Sequence, residues 1–254
     1  MELTFLGTGT SQGVPVITCN CDICLSKDSK DKRLRSSAMI TIQGKIFVID
    51  SGPDFRQQML RENVQDLRAI LFTHEHKDHI AGMDDVRAFN FKHQRHIDVY
   101  CDYNVQKALL REYPYVFSDF KYPGVPEVKV HQIDKHQTFT VDGVLFNPIE
   151  VIHYKLPVLG YRVGDLTYIT DASYISEQEV EKIKGSKVLV INALRKRKHI
   201  SHFNLEEALA FIERVNPDRA YLIHISHLLG KHEDVSKELP ENVFIAYDGL
   251  KIKV

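Results

Sequence analysis

An α/β fold built in layers is what the sequence predicts, on three observations. Short apolar runs of strand type recur along the 254 residues, amphipathic segments with helix-start signals lie between some of them, and no Pro-, Gly- or Ser-rich linker divides the series. Strands interspersed with helices pack as sheets covered by helices. One domain over residues 1–254 is therefore expected.

The strand candidates are, in order, ELTFLG, KIFVIDSG, AILFTH, DVYCD, VKVHQI, LFNPIEVIH, LTYITD, KVLVINA, AYLIHIS and NVFIAYDG. Each is five to nine apolar-rich residues between turn formers. The clearest helix is NLEEALAFIERVN, where Leu205, Ala208, Leu209, Ile212 and Val215 recur at helical spacing. Asn204 with Glu207 forms a capping pair at its start and Pro217 stops it. Ser176 with Glu179 starts a second helix, EQEVEKIKG. The polar run SKDSKDKRLRSS reads as a solvated surface loop. The section from Phe91 to Pro126 mixes a strand, a helix and a Pro/Gly-containing loop.

Hydrophobic residues make up 43% and charged residues 26%, the balance of a soluble globular chain. A net charge of −1 gives no electrostatic footprint for nucleic acid or an anionic membrane. There is no apolar run near 20 residues and the opening MELTFLGTGT lacks the pattern of a secretory signal, so a cytoplasmic protein is expected. The four cysteines suit metal binding better than a disulfide framework, because Cys19, Cys21 and Cys24 crowd into the stretch ITCNCDIC. A closed structural zinc site takes four ligands, and the residues leave the fourth among His227, His232 and Cys101.

The strongest chemical signal is LFTHEHKDH. A strand ends, and His74, His76, Asp78 and His79 follow within six residues. In extended chain, residues two apart share a side, so His74 and His76 can address one ion, while Asp78 and His79 can address a second where the chain turns into a helix. Such ligands suit zinc, manganese or iron. His153, Asp171 and His224 end three other strand candidates. Strand ends converge on one rim of an α/β sheet, where clefts form.

These residues resemble the metallo-β-lactamase superfamily, for which H-x-H-x-D-H is specific, and the likeness spans nearly the whole chain. The resemblance implies a four-layered αββα sandwich of two similar halves. It implies that His74, His76 and His153 hold one divalent ion, that Asp78, His79 and His224 hold another, and that Asp171 bridges them. Asp50 matches an aspartate that supports the site from behind, or is only a turn residue before Gly52; Asp54 has no assigned role. The opening LGTGTSQGVP followed by C-x-C-x-x-C is similar to the PhnP-type phosphoribosyl cyclic phosphodiesterases. That likeness implies a structural zinc held by Cys19, Cys21, Cys24 and His227 in an N-terminal clip near 18–35, and two catalytic ions, manganese or zinc. It also implies that His202, before the capped helix, donates a proton; His199 competes for that role. The run Arg195, Lys196, Arg197, Lys198 reads as a solvated basic loop, or as a neutraliser of substrate phosphate.

The implied activity is hydrolysis of a small cyclic phosphodiester, phosphoribosyl 1,2-cyclic phosphate or similar, by a metal-bridging hydroxide, with His202, Asp78 and Asp171 as catalytic residues. Other members with the same ligands hydrolyse thioesters or β-lactams, or cut transfer RNA at its 3′ end, and a non-catalytic metal-binding protein would keep the ligands without turnover. No membrane partner is expected and nucleic acid is disfavoured without being excluded; a homodimer stays open.

Overall fold

The computed structural model describes residues 1–120 and 122–254. Two seven-stranded sheets lie face to face, each covered on its outer side by helices. The first sheet holds β1 (Glu2–Gly7), β2 (Ser37–Ile42), β3 (Lys45–Ile49), β4 (Ala69–Leu71), β5 (Ile97–Cys101) and β6 (Val128–Gln132). The second holds β7 (Phe139–Val141), β8 (Val144–His153), β9 (Leu156–Val163), β10 (Leu166–Tyr168), β11 (Val188–Asn192), β12 (Arg219–Ile223) and β13 (Val243–Ile245). A last strand, β14 (Lys251–Lys253), returns to the first sheet beside β1. From β14 to β6 and from β7 to β13 the pairings follow one pattern, three antiparallel and then three parallel.

Strand alternation makes the layers, since successive side chains point to opposite faces. Phe47 and Ile49 of β3 and Val188 and Val190 of β11 face the core between the sheets. Val48 faces outward, under α1 (Phe55–Arg61), α3 (Arg87–His93), α4 (Tyr103–Glu112) and α5 (Pro114–Phe117). Between α1 and α3 lies the short α2 (Lys77–Ile80). Leu189 and Ile191 face the other outer layer, formed by α6 (Glu177–Ile183), α7 (Leu205–Val215) and α8 (His232–Ser236). Three apolar clusters thus separate four layers, the αββα arrangement that the resemblance implies. α7 opens with a full capping box: Asn204 accepts from the Glu207 N–H, and Glu207 accepts from the Asn204 N–H. No helix among the described residues is long and apolar enough to cross a membrane.

Two sequence readings need correction. Strands β2, β7, β9 and β14 were not among the candidates. The run SKDSKDKRLRSS is not a solvated tether throughout, because Asp31, Arg33, Ser36 and Ser37 are buried. The Arg33 guanidinium donates to the Ala246 carbonyl and the Thr8 hydroxyl, and Ser37 opens β2. A charged side chain is tolerated there because its donors are satisfied.

Two glycines set the approach of α2 to the loop after β3. A Cβ on Gly52 would stand 2.0 Å from the Asp78 carbonyl oxygen, and one on Gly82 would stand 2.1 Å from the Gly52 carbonyl oxygen. Both neighbours are backbone atoms, so a side chain forces the loop and α2 apart. Gly52→Ala is expected to destabilise the fold by about 3 kcal/mol and to weaken metal binding through Asp78 and His79. A melting temperature within about 2 °C of the parent, roughly what 1 kcal/mol gives in a domain this size, would count against this packing account.

Candidate metal centre

The seven donor residues gather at one rim, between the two sheets. His74 and His76 follow β4, Asp78 and His79 lie in α2, His153 ends β8, Asp171 lies three residues beyond β10, and His224 follows β12. Asp78, His79, Asp171 and His224 each bring a donor atom within 4.8 Å of the others. His153, Asp171 and His202 form a second such group. His74 Nε2 stands 3.0 Å from His76 Nδ1, and the His153 ring centroid is 5.2 Å from that of His76 and 5.8 Å from that of His74. His202 therefore sits nearer Asp171 and His153 than a residue standing off from the ligands would. Its ring centroid is 4.5 Å from that of His153 and 4.9 Å from that of His224.

Asp171 joins these groups. Its Oδ1 is 3.2 Å from His224 Nδ1 and 3.6 Å from His79 Nε2, while its Oδ2 is 3.9 Å from His74 Nε2 and 4.0 Å from His202 Nδ1. Each carboxylate oxygen faces a different set of histidines. Asp171 holds φ +58° and His224 φ +53°, left-handed conformations that turn the chain sharply after the strand and aim the side chain into the rim.

Hydrogen bonds behind the donors fix which ring nitrogen faces inward. The Thr73 hydroxyl donates to Asp50 Oδ2 at 2.8 Å, so its lone pair accepts the His74 Nδ1 proton at 3.0 Å. His79 Nδ1–H donates to Asp50 Oδ2 at 2.7 Å, and His153 Nδ1–H donates to the Ser201 carbonyl at 2.7 Å. All three rings are left with Nε2 for an ion, the tautomer that ligation needs. Asp50, at φ +62°, also accepts the Thr73 N–H at 2.8 Å. It is thus both a turn residue and the anchor of two site histidines. Asp54, which had no assigned role, accepts from the Arg35 N–H and guanidinium and holds the strand entry of β2.

Burial sets the direction at His74 and His202, and neighbouring charges reverse it at His79 and Asp171. Burial pushes His74 well below its ordinary value, and His79 adds to that, so His74 is neutral as a ligand must be. Burial would lower His79 as well, but the carboxylates of Asp78, Asp50 and Asp171 outweigh it and hold the ring well above the ordinary range. Burial would raise Asp171, but His224, His79, His74 and His202 hold it well below the carboxylate range. Burial pushes His202 down to about 3, opposed by Asp171. Among the described residues, the His79 Nε2 and His202 Nδ1 atoms are buried without a hydrogen-bond partner. Inward ring nitrogens that lack partners around a shared carboxylate fit divalent cations.

The three clip thiols meet His227. Its Nδ1 lies 3.3, 3.4 and 3.5 Å from the sulfurs of Cys19, Cys21 and Cys24. A tetrahedral zinc with bonds of about 2.3 Å to sulfur and 2.0 Å to nitrogen sets such donors roughly 3.5 Å apart, so the group fits one ion. Donation from the Cys24 N–H lowers Cys21 to about 6, while burial pushes Cys24 up to about 11. Cys101 is buried in β5, and His232 begins α8 with its ring against Tyr247; neither joins the thiols.

Three of the four basic side chains already have partners, one within the loop and two on neighbouring elements. Arg195 donates to the Arg197 and Lys198 carbonyls, Lys196 pairs with Glu238, and Lys198 lies 3.9 Å from Glu207. Sequence reading missed Thr73, Ser201 and Ser36, whose hydroxyl lies 3.3 Å from His224 Nδ1. A threonine closing an apolar strand beside His74 was the one local signal.

A family model described as "Beta-lactamase superfamily domain" matches residues 45–225. An octanoyltransferase of Porphyromonas gingivalis (strain ATCC BAA-308 / W83) is 39% identical over 253 residues, 99% of this chain and 51% of that protein. A ribonuclease Z of Acaryochloris marina (strain MBIC 11017) is 27% identical over 172 residues, 65% of this chain and 48% of that protein. The chain thus spans about half the length of these curated relatives. Among solved structures, a diphosphatase of the PhnP family superposes with a TM-score of 0.93 at 36% identity, over 100% of this chain and 97% of that one. Zn(2+)-bound PqqB from Methylobacterium extorquens shares the fold, with a TM-score of 0.79 at 19% identity over 100% of both chains.

Proposed function

The chain belongs to the beta-lactamase superfamily, and on that premise we propose that it is a dinuclear metal-dependent hydrolase of a small cyclic phosphodiester, phosphoribosyl 1,2-cyclic phosphate or a chemical relative. The observation that carries this reading is Asp171, whose two oxygens face two sets of histidines. His74, His76 and His153 would hold one ion, Asp78, His79 and His224 the other, and Asp171 both; manganese and zinc suit these donors. Bound there, the pair supplies Lewis acidity toward the phosphoryl oxygens and a nucleophile at neutral pH.

The chain's own residues do the rest. Asp50 and Thr73 hold the His79 and His74 rings in place. His202 is buried beside Asp171 with a free Nδ1, placed to hand a proton to the departing ribose oxygen. An arriving phosphodiester anion acts on His202 in the same direction as Asp171, raising its affinity for that proton. The likeness to a PhnP-family diphosphatase supports phosphoryl over acyl chemistry. The octanoyltransferase name describes a protein of which this chain matches about half.

Metal-reconstituted protein is expected to open cyclic phosphodiesters. Absence of turnover with manganese and with zinc, in protein shown to hold two ions at this centre, overturns the reading. Faster cleavage of a precursor transfer RNA at its 3′ end would replace it with a ribonuclease Z-like one. His202→Ala is expected to keep its ions and lose roughly 10²- to 10⁴-fold in rate, the range of a general acid. Loss of the ions instead would show His202 to be a ligand.

A further inference from the structure

The centre opens into two cavities that meet at His199. The smaller, about 210 Å³, is lined by Thr10, Gln12, Arg195, His199, His202 and His224. The larger, about 540 Å³, is lined by His76, His153, Tyr154, Leu156, His199 and Ile200. The proposed proton donor, His202, faces the smaller one, so the departing arm of a diester belongs there. The arm that stays on phosphorus is left with the larger cavity, whose size suits a ring-sized group.

Tyr154 occupies an unusual seat in that cavity. Strands β8 and β9 pair up to His153 and Leu156, so Tyr154 and Lys155 alone make the turn. Tyr154 holds φ +60°, at the first position of a two-residue hairpin turn, where glycine is favoured. Among the described residues ten non-glycine residues have positive φ; five are Asn or Asp, whose side chains tolerate it, and two are Gln in exposed turns. The other three are Thr18, beside the clip; His224, at the centre; and Tyr154. Tyr154 is 54% exposed, so burial of apolar surface does not repay the strain. Lys155 places its Nζ 5.3 Å from the ring centroid, which steadies the ring and adds positive charge beside it. Strained backbone in an exposed aromatic next to a metal-donor histidine points to contact with ligand.

We propose that the centre also takes open-chain diesters, and that Tyr154 is a specificity-determining residue whose ring stacks on a planar group carried by their retained arm. This rests on hydrolysis at the metal centre. In that reaction water's oxygen joins phosphorus, one P–O ester bond breaks, and the departing oxygen takes a proton. Tyr154 touches only the arm that stays attached.

Two probes that lose the same 4-nitrophenolate test it on metal-loaded protein: bis(4-nitrophenyl) phosphate, whose retained arm is aromatic, and ethyl 4-nitrophenyl phosphate, whose retained arm is not. The parent is expected to favour the aryl probe in kcat/KM by roughly tenfold beyond their ratio in metal-catalysed solution hydrolysis, the size of one stacking contact. Tyr154→Ala and Tyr154→Gly are expected to bring the ratio to the solution value, and Tyr154→Phe to keep it. Tyr154→Gly is also expected to melt no lower than Tyr154→Ala, since glycine fits the turn. An unchanged ratio in Tyr154→Ala, or equal loss on both probes, overturns the proposal and leaves the hydrolase reading standing. Turnover of neither probe by parent protein that holds both ions and opens a cyclic phosphodiester overturns the proposal alone; no turnover of the cyclic diester either overturns both.

Discussion

Asp171→Asn is expected to lower kcat/KM by at least about 10³-fold and to reduce the ions at the centre from two per chain to one or none. The substitution keeps the side chain's size, and asparagine accepts the left-handed backbone that Asp171 adopts at φ +58°. What it removes is charge and one of two oxygens. Among the described residues Oδ2 is the one carboxylate oxygen within 4.0 Å of His74 and of His202, and an amide nitrogen in its place turns protons toward a cation. Four histidines, His224, His79, His74 and His202, lose the buried anion that faces them. Metal content and rate should therefore fall together. Two ions retained with a rate within tenfold of the parent would remove Asp171 from the bridging position.

The second large effect is at the clip. Cys21→Ser is expected to release one zinc per chain, lower the melting temperature by about 10 °C, and leave two ions at the catalytic centre. Structural zinc contributes on the order of 10 kcal/mol of binding at neutral pH; part of that remains as local loosening, so a few kcal/mol should appear as roughly 2–4 °C each. The separation rests on the stretch between His224 and His227. There the Ser226 N–H and hydroxyl both donate to the Leu194 carbonyl, fixing the backbone between the two ligands. Elemental analysis decides the matter. If Cys21→Ser strips the ion proposed for His74, His76 and His153, the clip and the centre are one unit.

What could be read in advance was local. His74, His76, Asp78 and His79 fall within six residues, and strand periodicity alone gives their directions. His153, Asp171 and His224 were visible because each closes an apolar run. The supports were not visible, because sheet pairing brings them together. Thr73 meets Asp50 only once β3 and β4 lie side by side, and Ser201 meets His153 from a loop 48 residues away. Strand β9 was hidden by Pro157 and Gly160, which read as breakers. Gly160 is there because a Cβ would stand 2.8 Å from the Tyr168 carbonyl of the neighbouring strand. Strand β2 was hidden behind a basic run whose Arg33 is buried and satisfied.

The sheet borders bear on how the chain behaves in a crowded solution. An open border is a template for another chain's strand, and short or lysine-bearing borders resist that. Three of the four borders, β7, β13 and β14, are three residues long, and β14 has Lys251 and Lys253 exposed on either side of Ile252. The fourth, β6, runs for five residues, with Lys129 exposed near its start. Lys129→Val would remove the charge that guards this longest border, making β6 the place where edge-to-edge aggregation begins.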